Sequence, residues 1–145
     1  MSTYQLAALV LAFHASAIAA APAIHPAVEP SSSCLSFDDP SISLSGTIFS
    51  RIYFGPPGYG LSPQRDVRER AMLLLLDAPL CVQENSQGSF EGNVIVVQLA
   101  AVSVSPNIFA NAEGHRVTVR GSLFHSLTGH HRTAVLMDVH GLTVP

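Results

Sequence analysis

Between Ile42 and Ile48 apolar and small polar positions alternate one for one, with Ile42, Leu44, Gly46 and Ile48 set against Ser43, Ser45 and Thr47. A period of two turns one face of a strand to a core and the other to water, so this stretch predicts a half-buried β-strand continuing to Phe54. Gly55-Pro56-Pro57-Gly58-Tyr59-Gly60 ends it and opens a loop toward Arg70. Val94 to Leu99 is β-branched and apolar, which predicts an interior strand. Ser105 before Pro106 reads as a helix cap with proline in the first turn, giving a short helix over Asn107–Ala112. Alternation returns from His115 to Phe124, with Val117, Val119, Gly121 and Leu123 or their neighbours facing inward. Thr133 to Val139 predicts the last strand.

The run Ala71-Met72-Leu73-Leu74-Leu75-Leu76 fits two patterns at once. Ser62 and Pro63 resemble a helix start, Val67, Ala71, Leu74 and Leu75 share a helical face, and side chains without β-branching favour helix. Asp77-Ala78-Pro79 stops the run, with Asp77 reading as a turn former, and Leu80-Cys81-Val82 looks extended again. Local signals leave 71–76 open between strand and helix.

Topology comes from an internal echo. Leu44-Ser45-Gly46-Thr47-Ile48-Phe49 is matched by Val119-Arg120-Gly121-Ser122-Leu123-Phe124. A mid-strand glycine lets a strand coil sharply, as a small closed barrel needs at its corners. Two such strands, with a helix between the third and fourth strands of the set, give the order of an OB-like barrel. The expected fold is mainly β: one five-stranded OB-like barrel over 34–145.

Ahead of it, Leu6 to Ala20 is apolar apart from His14 and Ser16 and ends in small residues. A bilayer span needs about 20 apolar residues, and the Ala17–Ala21 ending fits a signal-peptidase site. Residues 1–20 are expected to be a signal peptide, the alternative being an anchor or a buried helix. Residues 21–33, with Pro22, Pro26 and Pro30 before a serine run, are expected to be a flexible segment. The domain would then be periplasmic or secreted. In such a compartment Cys34 and Cys81, lacking metal-type spacing, predict one disulfide rather than two free thiols. By the chain-entropy argument, closing a loop of about fifty residues stabilises by about 4 kcal/mol. The two cysteines also agree with the barrel order, because the start of a first strand lies beside the end of an antiparallel second.

The formal net charge is -3 and all seven basic residues are arginine. With no basic excess, nucleic acid is not an expected partner.

Several blocks resemble a known family. They are Cys34-Leu35-Ser36-Phe37, Leu44-Ser45-Gly46-Thr47, Gly55-Pro56-Pro57, Leu76-Asp77-Ala78-Pro79-Leu80-Cys81-Val82, Gly121-Ser122-Leu123-Phe124-His125, and Thr128-Gly129-His130-His131-Arg132-Thr133-Ala134-Val135-Leu136. Together they resemble the bacterial domain of unknown function 4431 family over nearly the whole domain. The resemblance implies that the leucine run is a strand. It implies no activity, since the family's biochemical role is not established. The chain departs from the family's pattern at Tyr59-Gly60-Leu61, which stand where polar residues are expected.

Titratable side chains concentrate at His125, His130 and His131. Neutral imidazoles suit zinc or copper, so a histidine-dependent metal-binding protein is one reading. The competing one has a histidine packed at a strand end and the others bonded to loop backbone. Catalytic signatures are missing: there is no Gly-x-Ser-x-Gly elbow, phosphate loop or His-Glu-x-x-His helix. A Ser122, His125 and Asp138 triad can be drawn for an unrecognised hydrolase, but nothing in the pattern favours it. The expected protein is not an enzyme and needs no cofactor.

A binding module remains. In OB-type barrels the loops joining the first two and the last two strands flank one groove. Here they hold Tyr53, Tyr59, Arg65, Arg68 and Arg70 on one side, and Thr128, His130, His131 and Arg132 on the other. Aromatic and arginine side chains anchor recognition surfaces, and this group is basic in an acidic chain. The expected partner is a protein, peptide or anionic glycan of the cell envelope. The alternative is that Arg65–Arg70 is a solvated charge run paired within itself.

Overall fold

The computed structural model describes residues 33–86, 88–109 and 111–145. The expected signal peptide at 1–20 and the segment from 21 to 32 lie outside the described residues.

Alternation dictates the first long strand. β2 (Ile42–Phe54) buries Ile42, Leu44 and Ile48 on one face. β3 (Arg68–Gln83) pairs antiparallel with it, from Gly46 opposite Leu76 to Phe54 opposite Arg68. β4 (Glu91–Ala100) joins the other side of β3, with Leu74 against Val97. β5 (Arg116–His125) pairs with β2, and β6 (Val135–Thr143) lies between β5 and β4, antiparallel to the first and parallel to the second. The circuit β2-β3-β4-β6-β5-β2 closes, leaving a five-stranded barrel of OB-like order. Its interior is filled by Ile48, Leu74, Val97, Val117, Val119, Met137 and Val139, all without solvent exposure.

The leucine run is a strand. Leu74 lies between Ile48 and Val97 and is fully buried, so cross-strand packing on both sides outweighs its helical propensity. Asp77 does not form a turn, contrary to the expectation. β3 passes straight through Asp77-Ala78-Pro79, and the register against β4 shifts between Leu75 and Leu80. Such an irregularity is where a strand tolerates proline. The Asp77 carboxylate instead accepts bonds from Arg116, at 2.6 Å from Nη2.

Both echoed glycines are required by close approach. A Cβ on Gly46 would run into the carbonyl oxygen of Leu75, and one on Gly121 into that of Asp138. The expected short helix is a single 3-10 turn at Pro106–Phe109, which puts Phe109 into the core.

Cys34 and Cys81 form the expected disulfide, with Cα atoms 4.7 Å apart. The pairing differs in one respect from the expected one. Cys34 precedes a separate two-residue strand, β1 (Leu35–Ser36), which runs parallel to the end of β3 with Leu35 opposite Val82. Among the described residues no helix is long and apolar enough to cross a membrane.

Candidate functional site

The loop between β2 and β3 is built around one carboxylate. Asp66, only 8% exposed, accepts the backbone N–H groups of Gly58 at 2.8 Å, Gly60 at 2.7 Å and Ser62 at 3.3 Å. Burial alone would raise its pKa. The three N–H donors and the Arg68 charge more than offset this and hold it below the ordinary 3.8. Gly55 N–H to Val67 C=O, at 2.8 Å, closes the base of the loop.

The loop between β5 and β6 is built around His131. Its Nδ1 accepts the N–H groups of Leu127 at 2.8 Å and Thr128 at 3.4 Å, and its ring packs edge-on against Phe124. Burial first, then the neighbouring His130, lowers its pKa from 6.5. This imidazole shapes the loop through its backbone partners, as in the reading that has histidines bonded to loop backbone.

Glu69 joins the two loops. Its carboxylate lies 2.9 Å from His130 Nδ1 and 2.7 Å from an Arg132 Nη2 that also donates to the Phe54 carbonyl. The Arg132 side chain is 12% exposed and lies over the rings of Tyr53, at 5.0 Å, and Tyr59, at 5.8 Å. The Tyr59 ring meets the His130 ring edge-on and packs on Gly129, leaving no room for a side chain there. From β4, Gln98 Nε2 donates to the His130 carbonyl at 3.2 Å.

The sequence-derived site residues therefore separate. Tyr53, Tyr59, His130 and Arg132 come together, whereas Arg68, on the other face of β3 from Glu69, stacks on Phe54 at 3.8 Å. Arg65 bonds Ser62 within its own loop, and Thr128 accepts the His130 N–H within the other. The expected basic group is paired at two of its arginines, Arg132 with Glu69 and Arg70 with Glu113 at 2.6 Å. Within Arg65–Arg70 the Arg68 charge acts on Asp66, whereas Glu69 reaches across to the other loop.

The proposed metal trio His125, His130 and His131 does not converge. His125 sets Nε2 on Glu91 at 2.9 Å and Nδ1 on the Ser126 carbonyl at 3.2 Å. Among the described residues no three His, Cys, Asp or Glu side chains are grouped to hold a metal ion. Asp138, drawn with His125 and Ser122 as a triad, is bonded instead by Ser103 Oγ at 2.6 Å and by two backbone N–H groups.

Two adjoining clefts open at this cluster. One, of ≈ 370 Å³, is lined by Glu69, His130 and Arg132. The other, of ≈ 550 Å³, reaches Met72, Leu99, Phe109 and Glu113, and both share Arg70, Ala71 and Gln98. The sequence reading missed Glu69, Gln98 and Glu113. Gln98 carried a signal, as the polar residue inside the apolar strand Val94–Leu99.

The fold and this groove define a small closed β-barrel of OB-like order with two loops clasped over one end of the β3–β4 pair. Residues 96–143 match the family described as Domain of unknown function (DUF4431), which bears out the resemblance read in the Gly121–His125 and Thr128–Leu136 blocks. No curated protein and no solved structure matches the chain.

Proposed function

We propose that the protein is a non-catalytic binding module of the cell envelope that holds a polar or anionic partner in the groove between its two loops. The observation that carries this reading is the pair of adjoining clefts along β3 and β4, walled by Arg70, Gln98, His130 and Arg132. A concave site with a few fixed polar groups is what a recognition surface requires. Export is supported by the Cys34–Cys81 disulfide, a bond that persists in oxidising compartments. A metal is not needed to explain His125, His130 and His131, because each of the three has a protein partner. Catalysis finds no support in Ser122, His125 and Asp138, since the last two are engaged elsewhere.

The test is a titration of the oxidised protein with anionic glycans and with peptides, followed by amide chemical shifts. Shifts should gather at 68–72, 98–101 and 128–132 and weaken in Arg68→Ala. Saturable binding that leaves those residues unmoved would place the site elsewhere and refute the proposal.

A further inference from the structure

At Met72 opposite Leu99 the pairing of β3 with β4 ends, yet β3 runs on to Arg68 paired with β2 alone. Among the described residues no strand lies along the other edge of Arg68–Ala71. That edge is one wall of both clefts, through Arg70 and Ala71. A bare strand edge offers N–H and C=O groups at the spacing of another strand, which polypeptide matches and a glycan does not. Carboxylates that would receive sugar hydroxyls are already engaged: Glu69 by Arg132 and His130, Glu113 by Arg70 and Ser50.

Alternation along β3 gives the two sides of this edge different chemistry. On one face Met72, with Leu99 and Phe109 beside it, is followed by Arg70 and then Arg68. Arg70 is paired with Glu113, whereas Arg68 stacks on Phe54 and, although its charge reaches Asp66, forms no ion-pair contact among the described residues. The opposite face carries Glu69, bound to Arg132 and His130.

We propose that the groove binds an extended peptide as a strand added to Arg68–Ala71, with an acidic side chain opposite Arg68 and an apolar one opposite Arg70, next to Met72 and Phe109, about two residues apart on one face. The inference rests on the binding-module reading above and names the ligand class of that groove. Backbone pairing supplies the affinity, and the two side chains fix the register.

The experiment begins with selection of a random phage-displayed dodecapeptide library on the oxidised protein, followed by synthesis of the selected peptides. The expected peptides carry the apolar and acidic residues in that spacing and slow amide exchange within Arg68–Ala71. N-methylation at alternate backbone positions of the peptide should weaken binding about tenfold, the worth of one hydrogen bond, while methylation at the intervening positions leaves it nearly unchanged. Arg68→Ala should weaken binding by a similar factor, and only for peptides that retain the acidic residue.

Equal effects of both N-methyl series would overturn strand addition. So would protection on the far edge of β2 at 49–53, or failure to select any peptide. If an anionic glycan then bound at the same groove residues, the broader binding reading would stand and only the peptide inference would fall. If neither class bound there, both would fall.

Discussion

At the scale of single residues, the side chains that hold the loops are distinguishable from those that face a partner. Arg132 is the clearest holder, since its guanidinium is mostly covered and bridges Glu69 to the Phe54 carbonyl. Removing a charged group's hydrogen bonds there is expected to cost about 2 kcal/mol, so Arg132→Ala should lower stability in chemical denaturation as well as binding. Arg68→Ala, at an exposed cation on a ring face, should leave stability within about 0.5 kcal/mol while weakening binding. Equal stability loss in the two variants would contradict this division. Gly121 is a residue of a third kind. A methyl group there meets the Asp138 carbonyl of the partner strand, so Gly121→Ala should destabilise by about 3 kcal/mol, the upper end of over-packing costs.

At the scale of elements, the strands with period-two alternation were legible from the chain alone. β2 ends at Phe54 as its pattern predicts, and β5 turns Val117, Val119 and Leu123 inward. The echoed glycines pointed to a barrel through sharp strand coiling, and the structure adds a second reason, the close approach of the neighbouring carbonyls of Leu75 and Asp138. The leucine run resisted local reading because its state is decided by Ile48 and Val97, both more than twenty residues away. Asp77 was misread for a similar reason: its partner Arg116 lies 39 residues on, and no local pattern shows it. The groove was legible only in outline. Both loops and most of their arginines were identified, but Glu69, which joins them, looked like one more charge in a mixed run. Its partners are 61 and 63 residues distant. The β1 contact depends on the disulfide. Reduction should release that strand from the end of β3 and cost about 4 kcal/mol for a cross-link spanning 47 residues, measured as a shift in denaturation midpoint with and without reductant.

For the whole molecule, the shifted groups set how stability follows pH. Burial, then His130, lowers the His131 pKa from 6.5, so the unfolded chain takes up a proton there before the folded one. Stability should therefore begin to fall as the pH drops below about 6.5. His131→Asn, which keeps an acceptor for the Leu127 N–H, should flatten this first decline. Asp66 and Asp138 add a second one. Burial would raise both, but backbone N–H groups, joined at Asp138 by the Ser103 hydroxyl, hold them below 3.8. The stability they supply is complete above that value and is lost as the pH falls through their folded values. Denaturation midpoints of both proteins from pH 8 to pH 3 would check this, and a single acid transition identical in the two would refute the assignment to His131.

The carboxylate of Asp66 has a consequence for what the first loop can become. It grips backbone N–H groups rather than side chains, and Leu61, inside the grip, is 92% exposed and contributes only its main chain, through an N–H to the Gly58 carbonyl. A frame that reads only main chain is indifferent to the letters it carries. The exposed side chains at Leu61, Pro63 and Gln64 are thus exchangeable, able to diversify while the backbone turn through Ser62 and the barrel beneath it stay as they are.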